Sequence, residues 1–144
     1  MLERNQLTRE VLGSDETLVA ALDKISTLLD MAATKDNATN GLNITITFEK
    51  PGISVSESLY AKTAANNAET AFNAMGVNFE SADVSEIEFA GETHSCVDIK
   101  GNMSGVDIYE KMVVIKKDEW YVGIVFTALD DNDFDDLIDS FYAL

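Results

Sequence analysis

The residues most able to do chemistry in this chain stand in one short run, His94-Ser95-Cys96-Val97-Asp98. On a β-strand, side chains two and four positions apart share a face, so His94, Cys96 and Asp98 would line up. An imidazole, a thiol and a carboxylate are the raw material of a Cys–His nucleophile or of a metal site. Distance argues against both. Two residues of strand span roughly 6.6–6.8 Å, too far for direct proton transfer between Cys96 and His94. An activated thiol also needs a nearby cation or helix N-terminus, whereas Asp98 and Glu92 raise the cost of a thiolate. The run therefore reads as a strand face with mixed polar residues pointing outward. No catalytic residue, cofactor-binding residue or metal ligand is expected, and the domain is expected not to be an enzyme. The competing reading is a small-molecule-binding domain or enzyme that uses His94, Cys96 or Asp98 in a pocket between sheet and helix.

Other groupings carry less. Asp130-Asp131-Asn132-Asp133-Phe134-Asp135-Asp136 invites a calcium loop. Begun at Asp131, that loop needs glycine at its sixth place and glutamate at its twelfth, where Asp136 and Tyr142 stand. Acids in the first turns of a helix explain the run better, because the helix dipole favours them there. The stretch Gly101 to Gly105 lacks the spacing and the lysine of a phosphate loop and reads as a turn between strands. Trp120, Tyr121 and Tyr109 could form an aromatic platform, though strand aromatics more often pack a core. Lys111, Lys116 and Lys117 form a small basic cluster that reads as protection of a hairpin. Asn37, Asn43 and Asn102 each begin a glycosylation triplet, to which no role is assigned.

Composition bounds the classes. The 144 residues fit one domain and bring 26 acidic against 10 basic side chains, a formal charge of -16. That balance disfavours nucleic acid and anionic membranes, both of which recruit cationic side chains. One cysteine excludes an intrachain disulfide. No run of roughly 18 apolar residues is present, so no helical span is expected. The first residues lack the apolar centre of a signal peptide. The chain is expected to be cytoplasmic or the mature part of a longer precursor.

The elements that must position these residues follow from periodicity. Residues 1–13 read as a loose lead-in. Ser14 caps a helix with Leu18, Leu22, Ile25 and Leu29 on one stripe, and residues 28–34 fit either its continuation or a strand. Leu42, Ile44, Ile46 and Phe48 alternate as the inward row of a strand. Ser54 and Glu57 have the spacing of a capping box. The helix behind them presents Leu59, Ala64, Ala68, Ala71, Phe72 and Met75 and stops at Gly76. Turns at Ala90-Gly91, Gly101–Gly105 and Lys116–Glu119 divide the rest into an antiparallel meander. Phe134, Leu137, Ile138 and Phe141 mark a last helix capped by Asp130 or Asp131. The strands around Val113 and Ile124 are apolar on both sides and must be covered twice. The expected class is α+β: an antiparallel sheet covered by helices on both faces, an α/β/α sandwich, as a single domain over 1–144.

The order of these elements carries a resemblance. The strand Leu42 to Phe48 is followed by a helix, then by a meander turning at Phe89-Ala90-Gly91-Glu92. The strand Trp120 to Phe126 and a final helix ending Asp139-Ser140-Phe141 complete the series. The series resembles the PsbP-like fold over about residues 28–144. That fold is shared by extrinsic photosystem subunits, a nuclear-import factor that binds the Ran GTPase, and bacterial DcrB-type envelope lipoproteins. The chain looks most like Firmicutes lipoproteins carrying such a domain. The resemblance implies an adaptor or accessory domain at a bacterial cell envelope that binds a protein partner, with no shared catalytic motif and no cofactor. The contact surface would be the open end of the sheet or the Lys116–Glu119 hairpin. A cone-shaped nuclear-transport-factor-like fold, the other candidate, would need more helix before the sheet.

Overall fold

Two turns set the frame. Ala90 and Gly91 lie at φ 51° and 87°, and Ser104 and Gly105 at 55° and 88°. Consecutive positive φ values are the signature of the two-residue turn whose twist matches that of paired strands. The computed structural model describes residues 27–34, 42–129 and 135–141. Its elements are β1 (Thr27–Thr34), β2 (Asn43–Glu49), helix α1 (Glu57–Ala74), β3 (Asn78–Phe89), β4 (Glu92–Met103), β5 (Val106–Lys117), β6 (Trp120–Ala128) and the short helix α2 (Asp135–Ile138). The strands form one antiparallel sheet in the order β1-β2-β6-β5-β4-β3. The lead-in over 1–13 and the helix expected from Ser14 fall outside the described residues up to position 26. Residues 27–34, open between helix and strand in the sequence, are strand.

Both faces of the central strands are apolar, as their composition implies, but the coverage differs from a sandwich. Val97, Val114 and Tyr121 form a core beneath Ala61 of α1, with Phe72, Val77 and Ile108 extending it. On the opposite face Cys96, Val113, Ile124 and Phe126 form a second core with Phe89 and Leu42. The expectation of helices on both faces is overturned. Among the described residues α1 is the one long helix, and it packs on β3, β4 and β5 on one side only. The second core is capped instead by Leu137, Ile138 and Phe141, from a helix of four residues and the turn after it. Phe141 meets Phe89 and Phe126 at centroid distances of 5.0 and 5.7 Å. The last helix expected from the sequence is thus seen over Asp135–Ile138, with Leu137, Ile138 and Phe141 of its stripe on the core; Phe134 lies outside the described residues.

α1 differs in its details too. Ser56, not Ser54, is the N-cap and accepts the Leu59 N–H at 3.2 Å. The buried positions are Ala61, Ala68 and Phe72, while Leu59 and Met75 are half exposed or more. Small alanines let the helix lie close to the strands. Gly101 lies within β4 rather than in a turn, and a Cβ there would come within 2.7 Å of both Phe72 and Val77. The glycine is what lets Phe72 reach the sheet.

Candidate functional site

The structure disperses the run His94, Cys96, Asp98. The face was expected to point outward, yet Cys96 is fully buried and His94 nearly so. Cys96 belongs to the apolar core of Phe89, Val113 and Phe126. Burial, followed by the nearby Asp98 carboxylate, pushes its thiol up to about 11. Such a group stays protonated and is a poor nucleophile at neutral pH.

His94 sits at a fork in the sheet. The β4–β5 ladder ends at Ser95 and Val114, whereas β5 runs on beside β6 to Lys117. Glu57, at the start of α1, reaches into this fork. Its Oε1 accepts the Lys116 N–H at 2.8 Å and its Oε2 lies 3.5 Å from His94 Nδ1. Glu92 approaches the other ring nitrogen at 3.9 Å. Carboxylates on opposite nitrogens of one imidazole cannot share a metal ion with it. Among the described residues no cluster of three or more His, Cys, Asp or Glu is placed to hold a metal. The neighbouring Val55 is clamped by Tyr121, whose hydroxyl accepts the Val55 N–H at 2.7 Å and donates to the Val55 carbonyl. Lys116 Nζ donates to the same carbonyl at 2.7 Å. These contacts hold the start of the helix to the sheet.

Asp98, two residues beyond Cys96, opens onto solvent. It marks a cavity of about 290 Å³ lined by β3, β4 and β5, with Ser81, Asp83, Lys100, Tyr109 and Lys111 among its walls. The side chains form an ordered charge network. Lys111 donates to Asp98 Oδ1, and Ser85 donates to Asp98 Oδ2 at 2.7 Å. Lys100 lies 3.1 Å from Glu80 and 3.5 Å from Asp107, and 5.5 Å above the Tyr109 ring. Asn102 donates to Asp107 at 2.7 Å. The Glu80 hydrogen bond, then Asp107, hold the Lys100 ammonium above its ordinary value. The Asn102 amide, then Lys100, hold Asp107 below the usual carboxylate range. Asp83 stands directly across from Asp98 in the register. Like charges so placed repel, and Lys111 offsets that repulsion.

The other candidates come apart. Lys111 faces Asp98, whereas Lys116, an odd number of residues along the same strand, serves the Val55 carbonyl on the opposite side. Tyr121 is buried and stacked on Tyr60 at 4.5 Å, Tyr109 lies at the groove, and Trp120 lies beneath Lys50. Lys111 and Lys116 therefore form no shared basic cluster, and Trp120, Tyr121 and Tyr109 form no platform. The supposed calcium loop would run from Asp131 to Tyr142; residues 131–134 and 142 lie outside the described set, and Asp135–Ile138 within it are helix. The groove residues Glu80, Asp83, Lys100 and Asp107 were not singled out by the sequence, although the register of the two tight turns brings them together. No protein-family model and no curated protein matches the chain.

Proposed function

We propose that this chain is a non-enzymatic binding domain whose contact surface is the charged groove of β3, β4 and β5. The carrying observation is the network Ser85–Asp98–Lys111 beside Glu80–Lys100–Asp107, fixed on strands rather than loops. Charges of both signs held at fixed spacing favour recognition of a charged partner and govern its orientation and encounter rate. Chemistry by the His94–Cys96–Asp98 run is disfavoured by the raised thiol and its complete burial. The contact surface therefore moves from the Lys116–Glu119 hairpin to the groove, because Lys116 is engaged with Val55. A protein partner and a cell-envelope setting remain the proposal drawn from the resemblance.

The test is a titration of the full chain, followed by ¹H–¹⁵N spectra, with a lysine-rich peptide, an acidic peptide and a mixture of free amino acids. Saturable shifts centred on Asp83, Asp98, Lys100 and Lys111 support the reading. Shifts centred on His94 and Cys96, accompanied by chemical change in a probe, would replace it with the enzymatic one.

A further inference from the structure

β3 is the last strand of the sheet in the order observed, and among the described residues no strand pairs with its outer side. An unpaired edge presents a row of N–H and C=O groups ready to accept another strand. Sheets commonly blunt such edges with charged side chains (lysine above all), proline, bulges or brevity; here the charges are all acidic and so deter only strands that are not basic. β3 has twelve residues and contains no proline, lysine or arginine. Its one irregularity falls between Phe79 and Ser81, which leaves Ser81 to Phe89 in unbroken register with β4. Asp83, Val84, Ser85 and Glu86 are all exposed. The strand is also well supported, since Phe79 and Ala82 pack into the cores beneath α1. It is a long and well-supported edge, in unbroken register from Ser81 to Phe89.

Its charge selects what can add to it. Glu80, Asp83, Glu86 and Glu88 are its only charged residues. By the alternation of the register Asp83 lies on the groove face and Glu86 and Glu88 on the helix face. A second copy of this chain, itself at -16, would set acids against acids and be repelled. A strand carrying basic side chains on both faces would meet an acid on each. Cross-strand neighbours stand roughly 4.5–5.5 Å apart at Cβ, close enough for lysine or arginine to pair with these carboxylates. Val84, 37% exposed, offers an apolar contact to a β-branched residue between them.

We infer that the outer edge of β3 is a docking site for an extended, lysine- or arginine-bearing segment of a partner protein, which adds to the sheet as a further strand. Main-chain hydrogen bonds supply the affinity and the acids supply selectivity, as in other cases of strand addition. The inference rests on the reading of the chain as a binding domain and names the partner's form. A segment seated there would lie alongside Asp83 and thus border the groove.

The probe is a synthetic peptide of lysine, threonine and valine with lysines on both faces. It is compared with two versions N-methylated at alternate residues, one in each frame, all against the full chain at about 50 mM salt. Only one edge of an added strand bonds to β3. One methylated frame is therefore expected to bind at least about tenfold more weakly, while the other binds like the parent. Amide shifts and slowed hydrogen exchange should centre on residues 82–88. The exposed double variant Asp83→Lys with Glu86→Lys should weaken binding about tenfold without changing the melting temperature by more than about 3 °C. Equal binding of both methylated frames would mean electrostatic attraction alone and would overturn the inference. So would shifts confined to Lys100, Tyr109 and Lys111, although that result would leave the binding-domain reading standing. Failure of the unmethylated peptide to bind would also overturn it.

Discussion

Cys96 offers the sharpest measurement of how the two-faced sheet controls chemistry. Its thiol is raised from an ordinary value of 9.0 to about 11. At pH 8 this lowers the thiolate fraction about 100-fold. A more basic thiolate is intrinsically more nucleophilic, with a Brønsted coefficient of roughly 0.4–0.5, which restores about sixfold to tenfold. Ionisation alone thus leaves the folded thiol roughly tenfold slower than an ordinary one. Complete burial adds to this, because a reagent reaches the sulfur only when the sheet opens. Each 1.4 kcal/mol of opening free energy costs a further tenfold or so in rate. Iodoacetamide labelling of the native chain, followed by mass spectrometry, should therefore run at least about tenfold slower than labelling of the same chain in urea. Labelling at the unfolded rate or faster would refute the argument. If that excess vanished in His94→Ala, a working Cys–His pair would be the explanation.

The same thiol links to stability: the folded chain keeps a proton that the unfolded chain releases near pH 9, so stability should fall by roughly 2–3 kcal/mol as pH rises from about 9 past 11. Urea melts of the wild type and Cys96→Ala across that range would check it, with the alanine variant lacking this component of the loss. Tyr121→Phe keeps the stacked ring but leaves the Val55 N–H and carbonyl without the hydroxyl; a loss of about 1–3 kcal/mol is expected in chemical denaturation. Gly101→Ala should cost about 1–3 kcal/mol through overlap with Phe72 and Val77, whereas Gly52→Ala, with open space around it, should be near neutral. Glu110 is held above its ordinary 4.5 chiefly by burial, with the Thr127 hydroxyl pulling the other way. Its ionised form is penalised in the fold, so Glu110→Gln should melt higher at pH 7, with the advantage disappearing below about pH 4.

Much of the frame is legible from residue types alone. Ala90-Gly91 fixes the β3–β4 turn, and the alternation of Leu42, Ile44 and Ile46 sets one buried and two partly buried side chains against the second core. The two-sided apolarity of the β5 region correctly implies two cores, because Val114 and Val113 enter different ones. It does not imply two helical layers. Toward α1, β6 presents Tyr121, Gly123, Val125 and Thr127, and its partner β2 presents Thr45 and Thr47; of these Tyr121 joins the core beneath the helix. The threonines tolerate water, and α1 packs on β3, β4 and β5 rather than above them. On the other face, the described cover is three phenylalanines and a four-residue helix. Apolar area can be covered by a few large rings as well as by a regular element.

The groove is a matter of register. A two-residue turn fixes every pair along the strands it joins, so placing the turn at Ser104-Gly105 dictates Asp98 opposite Lys111 and Lys100 opposite Tyr109. Spreading that turn over Gly101 to Gly105, as glycine content alone suggests, dissolves those pairs. Alternation then misleads in a second way. His94, Cys96 and Asp98 share a face by parity, yet parity says nothing of what lies above each position. The β4–β5 ladder has already ended where Glu57 meets His94, the apolar core closes over Cys96, and two residues farther along Asp98 is half-buried beside Lys111. One strand face thus passes from a fork to a core to a groove within five residues. A run of catalytic residue types along a strand gains chemical meaning only from its cross-strand neighbours, and here those neighbours assign each member a different surrounding.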